Sequence, residues 1–231
     1  APTGRPRAML RALCFAAVAA VGSGLVAPRI LPGQRAGALA AAPQFFGIPA
    51  SFAGIGGGES RKSLKAELLE LCDAVKAGSA ETPAQRERIV ALIEQLEAVN
   101  PTPKALSRPE LLSKEWKLRW TTSDGILGRD RALFKPVVDT IYQLIDASEL
   151  SARNREVTKL VAGKVDVPRS VTAKLTPLND NKVRVDFQEF CVGPLKIKAP
   201  PSATGALEFT YLDDDLRISR GDKKNLFVLT A

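Results

Sequence analysis

Trp116–Thr122 reads WKLRWTT. Trp116, Leu118 and Trp120 alternate with Lys117 and Arg119, the period of two that turns one face of a strand to a core and the other to water. The same rhythm recurs downstream. KVRVDFQEF sets Val183, Val185 and Phe187 against Arg184, Asp186 and Gln188. GALEFTYL sets Leu207, Phe209 and Tyr211 against Glu208 and Thr210, and LRIS repeats the pattern with Leu216 and Ile218. Thr140–Asp146, Arg153–Leu160, Val171–Leu175 and Asn225–Thr230 read as further strands, giving about eight in all. The turns are short and polar, at Asn179-Asp180-Asn181, Asp213-Asp214 and Gly221-Asp222. No helix-length segment separates the later strands, so they are expected to be antiparallel neighbours. Eight such strands close into a barrel that can hold one small ligand, and closure removes exposed edges. The expected fold over residues 114–231 is therefore mainly β, an antiparallel barrel.

Upstream, residues 59–113 have helical spacing. Ser63–Ala77 places Leu64, Leu68, Leu71 and Val75 on one stripe, and Gly78 stops it. Thr82-Pro83-Ala84-Gln85 opens a second helix with an N-cap, a first-turn proline and a glutamine three residues after the cap. Ile89, Leu92, Ile93 and Leu96 form its apolar face, and Asn100-Pro101 ends it. The expectation is a helical hairpin with its stripe against the barrel. Glu87, Glu94 and Glu97 beside Arg86 and Arg88 match an anionic lipid surface poorly.

Residues 1–58 hold five arginines, no lysine and no acid, and are rich in Ala, Gly and Pro. That composition reads as an organelle leader, to be excluded from the fold. Ala12–Ala27 is an uncharged run of 16 residues, short for a membrane span and suited to a signal core. A second small-residue stretch follows, and tandem signals would suit a plastid bounded by extra membranes. Those arginines also inflate the net charge of +8: from Glu59 onward 28 basic residues face 25 acidic ones, so no nucleic-acid partner is expected. The chain has no histidine, which removes the commonest general base and metal ligand. Cys14, Cys72 and Cys191 are scattered, with no metal-binding spacing. No metal, cofactor or catalytic residue is expected.

WKLRWTTS at Trp116–Ser123, IYQLID at Ile141–Asp146, Asn154, LKIKAP at Leu195–Pro200 and YLDDDLRISRGD at Tyr211–Asp222 resemble the plastid lipid-associated protein family, also called fibrillins or plastoglobulins. The likeness runs from about Leu64 to the C-terminus, so 59–231 would be one fibrillin-type domain. It implies a lipocalin-like barrel that attaches to thylakoids or plastoglobules and binds carotenoids, quinones and other prenyl lipids. Two positions depart from the family pattern: Lys114 and Lys224 stand where glycines are usual.

The charge-rich DDDLRISRGD reads as a joint between strands. Three consecutive aspartates at a turn are favoured for backbone reasons, and no nucleophile with a base accompanies them. Leu216 and Ile218 point one way, so Arg217 points the other, and Arg220 lies at the strand end. In lipocalins a late-strand arginine lies over the first-strand tryptophan. The resemblance therefore implies that Arg217 or Arg220 packs near Trp116 and closes the barrel. Trp116, Trp120, Phe134, Tyr142, Phe187, Phe209 and Phe227 could line a cavity or fill a core. The ligand-binding candidates are Trp116, Trp120, Tyr142, Phe187 and Phe209, with Tyr142, Gln143 and Thr122 as the polar contacts. Two roles fit: a carrier of hydrophobic lipids or pigments, or a structural protein coating plastoglobules or joining thylakoid complexes.

Overall fold

The computed structural model describes residues 57–129, 136–160 and 165–231. Residues 1–56, which hold Cys14 and most of the segment expected to be a leader, lie outside them, as does Phe134. Nine strands occur among the described residues: β1 Glu115–Thr121, β2 Tyr142–Asp146, β3 Ser151–Leu160, β4 Val165–Pro177, β5 Lys182–Val192, β6 Leu195–Lys198, β7 Thr204–Leu212, β8 Leu216–Gly221 and β9 Leu226–Thr230. Every pairing is antiparallel, from β1 through β5, then β7, β8 and β9, and β9 returns to β1. Eight strands thus form a closed barrel. β6 lies outside the ring, paired with the second half of β5. Alternation marks β1, β5, β7 and β8, and the other four ring strands overlap the further segments expected from the sequence; β6 falls within LKIKAP.

Three strand pairs of the ring carry a register shift. One falls between Thr172 and Ala173 in the β4–β5 pair, on the wall of an interior cavity, and the other two decide which way the aromatic residues of β1 and β7 face. The β1–β9 register shifts between Leu118 and Trp120, and the β7–β8 register shifts between Phe209 and Tyr211. A one-residue shift sends all that follows to the opposite face. Trp116, Leu118 and Phe209 accordingly belong to the core inside the barrel, with Leu175, Val183 and Leu229. Trp120 and Tyr211 instead join Leu216, Ile218 and Val228 on the outer wall.

That outer wall is covered by two helices, α1 (Gly57–Ala74) and α2 (Pro83–Ala98). Leu68 and Cys72 of α1, Val75 beyond it, and Ile89, Leu92, Ile93 and Leu96 of α2 complete this second core. α2 begins with a reciprocal cap: the Gln85 amide donates to Thr82 Oγ1 at 3.3 Å, and the Thr82 amide donates to Gln85 Oε1 at 2.9 Å. Beyond α2, Asn100 supports β7 near its shift. Its amide nitrogen donates to the Thr210 carbonyl at 2.9 Å, and its Oδ1 accepts from Leu212 N at 3.2 Å and Thr102 N at 2.9 Å. Asn100→Ala strands those backbone groups, each costing about 1–3 kcal/mol where water is excluded. We expect a net loss of about 2 kcal/mol in urea unfolding; a change below about 0.5 kcal/mol would mean that water replaces the side chain.

Candidate functional site

Inside the barrel lies a cavity of about 290 Å³, partly open to solvent, with a mostly apolar wall. Small residues make the room: Ala152 and Ala173 stand on neighbouring strands β3 and β4. Leu118, Leu175, Phe187, Phe190, Phe227 and Leu229 supply the apolar lining. Phe187 and Phe190 stack with ring centroids 6.1 Å apart. The single helical turn Asp124–Leu127 contributes Gly125 and Ile126.

The polar lining includes Arg155, Glu156, Arg169, Asp222 and Lys223, and a chain that runs from a buried arginine to half-buried Gln143 and Asn154. Arg217, 1% exposed, extends inward from β8. Its guanidinium carbon lies 5.0 Å from the Trp116 ring centroid and 5.7 Å from that of Phe209. A cation over an aromatic face contributes about 0.5–2 kcal/mol, more when desolvated. Arg217 Nη2 donates to Gln143 Oε1, and Gln143 Nε2 donates to Asn154 Oδ1 at 2.9 Å. Arg217 Nε and Nη1 and the Ser219 hydroxyl are buried without hydrogen-bond partners. Beneath them the Trp116 indole donates to the Leu112 carbonyl at 3.0 Å, fixing the ring against the short helix Pro109–Leu112.

The sequence candidates divide. Tyr142, Gln143 and Phe187 line the cavity. Trp116 and Phe209 lie within the interior core, flanking Arg217, and are not among the lining residues. Trp120 faces the helices, its indole donating to Glu81 Oε2 at 2.7 Å. Thr122 is committed to β9: its Oγ1 accepts the Leu226 amide at 2.9 Å. Arg220 is paired with Glu97 of α2 at 2.9 and 2.6 Å and joins helix to barrel. Ser219, Ala152, Ala173 and Phe190 were not singled out by sequence. Ser219 had a usable signal, since it shares a face with Arg217 at spacing two.

The three aspartates form a structural joint. Asp213 Oδ1 accepts the amides of Asp215 at 3.1 Å and Leu216 at 2.9 Å, shaping the turn. Its Oδ2 accepts from Lys65 of α1 at 2.8 Å and from the Tyr211 hydroxyl at 2.7 Å. Burial pushes the Asp213 carboxyl up, but the hydrogen bonds from Lys65 and Tyr211 outweigh it and hold the pKa well below the usual carboxylate range. A depressed folded-state pKa adds stability above the unfolded value, near 4, and that stability is lost as pH falls through the folded value. Asp213→Asn should therefore lower stability at pH 7 and flatten its decline below pH ~4, read from melting temperatures against pH. Parallel acid limbs in the two proteins would refute the assignment. Among the described residues no three His, Cys, Asp or Glu side chains form a metal-holding group, and no helix is long and apolar enough to cross a membrane.

The family model described as PAP_fibrillin matches residues 62–230, a span that includes both cores and the whole barrel. The chain belongs to the PAP_fibrillin family. It is similar to the probable plastid-lipid-associated protein 5, chloroplastic, of Arabidopsis thaliana, at 39% identity over 75% of this chain and 71% of the relative. It is also similar to plastoglobulin-1, chloroplastic, of Pisum sativum, at 28% identity over 74% of this chain and 61% of the relative. A third relative is the chromoplast-specific carotenoid-associated protein of Cucumis sativus, at 28% identity over 72% of this chain and 66% of the relative. The chain spans less than two thirds of the length of these last two. No solved structure shows a significant match to this PAP_fibrillin chain.

Proposed function

We propose that this chain is a non-enzymatic plastid lipid-associated protein that binds or carries hydrophobic prenyl lipids, carotenoids or quinones, at thylakoids or plastoglobules. The observation that carries this reading is the cavity. Ligand sites of about 300–1,000 Å³ are typical, so about 290 Å³ suits a ring or a short stretch of chain, with the remainder of a long lipid leaving through the mouth. Relatives named for plastid lipids and for carotenoids support the cargo class. Tyr142 and Phe187 form its wall, and the Trp116–Arg217 stack closes the barrel beneath. Residues 1–58 are the plastid leader, in two parts, and 59–231 are the lipocalin-like domain, in which 59–113 form a helical hairpin on the flank. Burial pushes the Cys72 thiol up to about 12, in keeping with an inert side chain.

The test is to incubate the purified chain with a total plastid lipid extract, repurify it and identify retained molecules by mass spectrometry. A carotenoid or quinone held at one per chain supports a carrier. Protein that emerges free of lipid yet pellets with thylakoids overturns it and favours a coat or a subunit of a thylakoid complex.

A further inference from the structure

Arg217 presents an unusual arrangement for a residue with only a packing role. It carries a positive charge at the base of an apolar cavity, and among the described residues no carboxylate forms an ion pair with it. Trp116 from β1 and Phe209 from β7 offer ring faces to the guanidinium, and Gln143 from β2 offers one neutral oxygen. Nε and Nη1 remain without acceptors, and the Ser219 hydroxyl, on the same face of β8, has no partner either. Buried polar groups are ordinarily satisfied, and a buried charge ordinarily has a counter-charge. Burial lowers the guanidinium pKa to about 9, which leaves it protonated at pH 7.

We propose that Arg217, with Ser219 beside it, anchors the carboxylate headgroup of an amphiphilic lipid whose apolar body lies against Phe187, Phe190 and Leu175. One unpaired positive charge is matched by one negative charge, which selects a carboxylate over a doubly charged phosphate. The carboxylate oxygens accept from the free guanidinium nitrogens and from the serine hydroxyl, replacing acceptors that the protein does not supply. A neutral carbonyl is a weaker acceptor for the same donors, and a pure hydrocarbon offers none. The cavity therefore ranks its ligands as acid, then ester or quinone, then hydrocarbon carotene. This inference rests on the lipid-binding reading and narrows the cargo within it.

The test titrates the full chain at pH 7.4 with cis-parinaric acid and with its methyl ester, reading polyene fluorescence. The wild-type protein is expected to bind the acid at least ~10-fold more tightly than the ester, the effect of one charge-assisted hydrogen bond. Arg217→Met places an unbranched apolar side chain between Trp116 and Phe209, and should bind the acid no better than the ester. Equal wild-type affinities for acid and ester overturn the anchor while leaving the lipid-binding reading intact. A preference for the acid that persists in Arg217→Met also overturns it. Failure of both probes to bind overturns the anchor and the lipid-binding reading together. The wild-type acid-to-ester ratio requires no variant, so it decides the question even if Arg217→Met does not fold.

Discussion

Trp120→Ala lowers folding stability by about 3–5 kcal/mol, the usual range for truncating a fully buried tryptophan. The indole is 0% exposed and lies between the barrel wall and the residues of α1 and α2. It does more than fill space. Its nitrogen donates to Glu81, whose side chain also pairs with Arg86 at 2.6 Å, so the ring ties the segment between the helices to β1. Truncation opens a cavity and removes one donor from a nearly buried carboxylate. Urea unfolding followed by far-UV circular dichroism measures the loss. A change below about 1.5 kcal/mol would mean that the helices cover this face loosely. The milder Trp120→Phe, measured where it is fully folded, should leave cis-parinaric acid binding unchanged, because this ring lies outside the barrel wall. Altered binding would return Trp120 to the ligand site where the alternation of WKLRWTT alone would put it.

Gly78→Ala is expected to cost about 2–4 kcal/mol, through backbone strain and a steric clash. Gly78 has φ +98°, which L residues rarely adopt. A Cβ there would sit 2.7 Å from the Thr121 carbonyl oxygen and 3.2 Å from the Trp120 indole nitrogen. The close approach has a cause: Ala77 forms a bridge to Trp120, and the Thr121 amide donates to the Ala77 carbonyl at 3.2 Å. The chain leaving α1 is thus stitched to β1, and only a residue without a side chain fits. Lower entropy of the unfolded alanine variant offsets about 0.4–1 kcal/mol of the loss. A net ~3 kcal/mol corresponds to a melting temperature lower by about 6–12 °C in a domain of this size. Gly205→Ala is the control: its nearest neighbour atom would be 3.7 Å from the new Cβ, and a shift of at most a few degrees is expected. Equal shifts in the two variants would contradict the steric account.

Residues that act through their immediate neighbours were legible in the sequence. Thr82 and Gln85 cap α2 as their spacing demands, because both partners lie within one turn. The alternating segments became ring strands because each had its own apolar face. What could not be read was decided across strands. Trp120 and Tyr211 continue the alternation of Leu118 and Phe209 on paper, yet shifted registers against β9 and β8 turn them outward. β8 is buried on both faces over Leu216–Ser219, a sign that its outer side is covered. Its sequence mixes Leu and Ile with Arg and Ser, so no apolar run announces that burial. Arg217 over Trp116 was suggested by resemblance. The missing acceptors around its guanidinium became visible only once β1, β2 and β7 were placed around it.

The seam between β1 and β9 joins Lys117 to Thr230 and Leu118 to Leu229, across more than a hundred residues of chain. Contacts that distant carry a large loop-closure entropy and form late in folding. The cavity has no complete wall until β9 is seated, so the empty chain must close its barrel around an interior it has not filled. A cargo that recognises only the closed form then acts on the folding equilibrium by mass action, holding the seam shut in proportion to its concentration over its dissociation constant. Occupancy and lifetime of the fold become linked. If the cavity holds lipid as proposed, loaded chains should resist opening and proteolysis along β9, and empty chains should be cleared first.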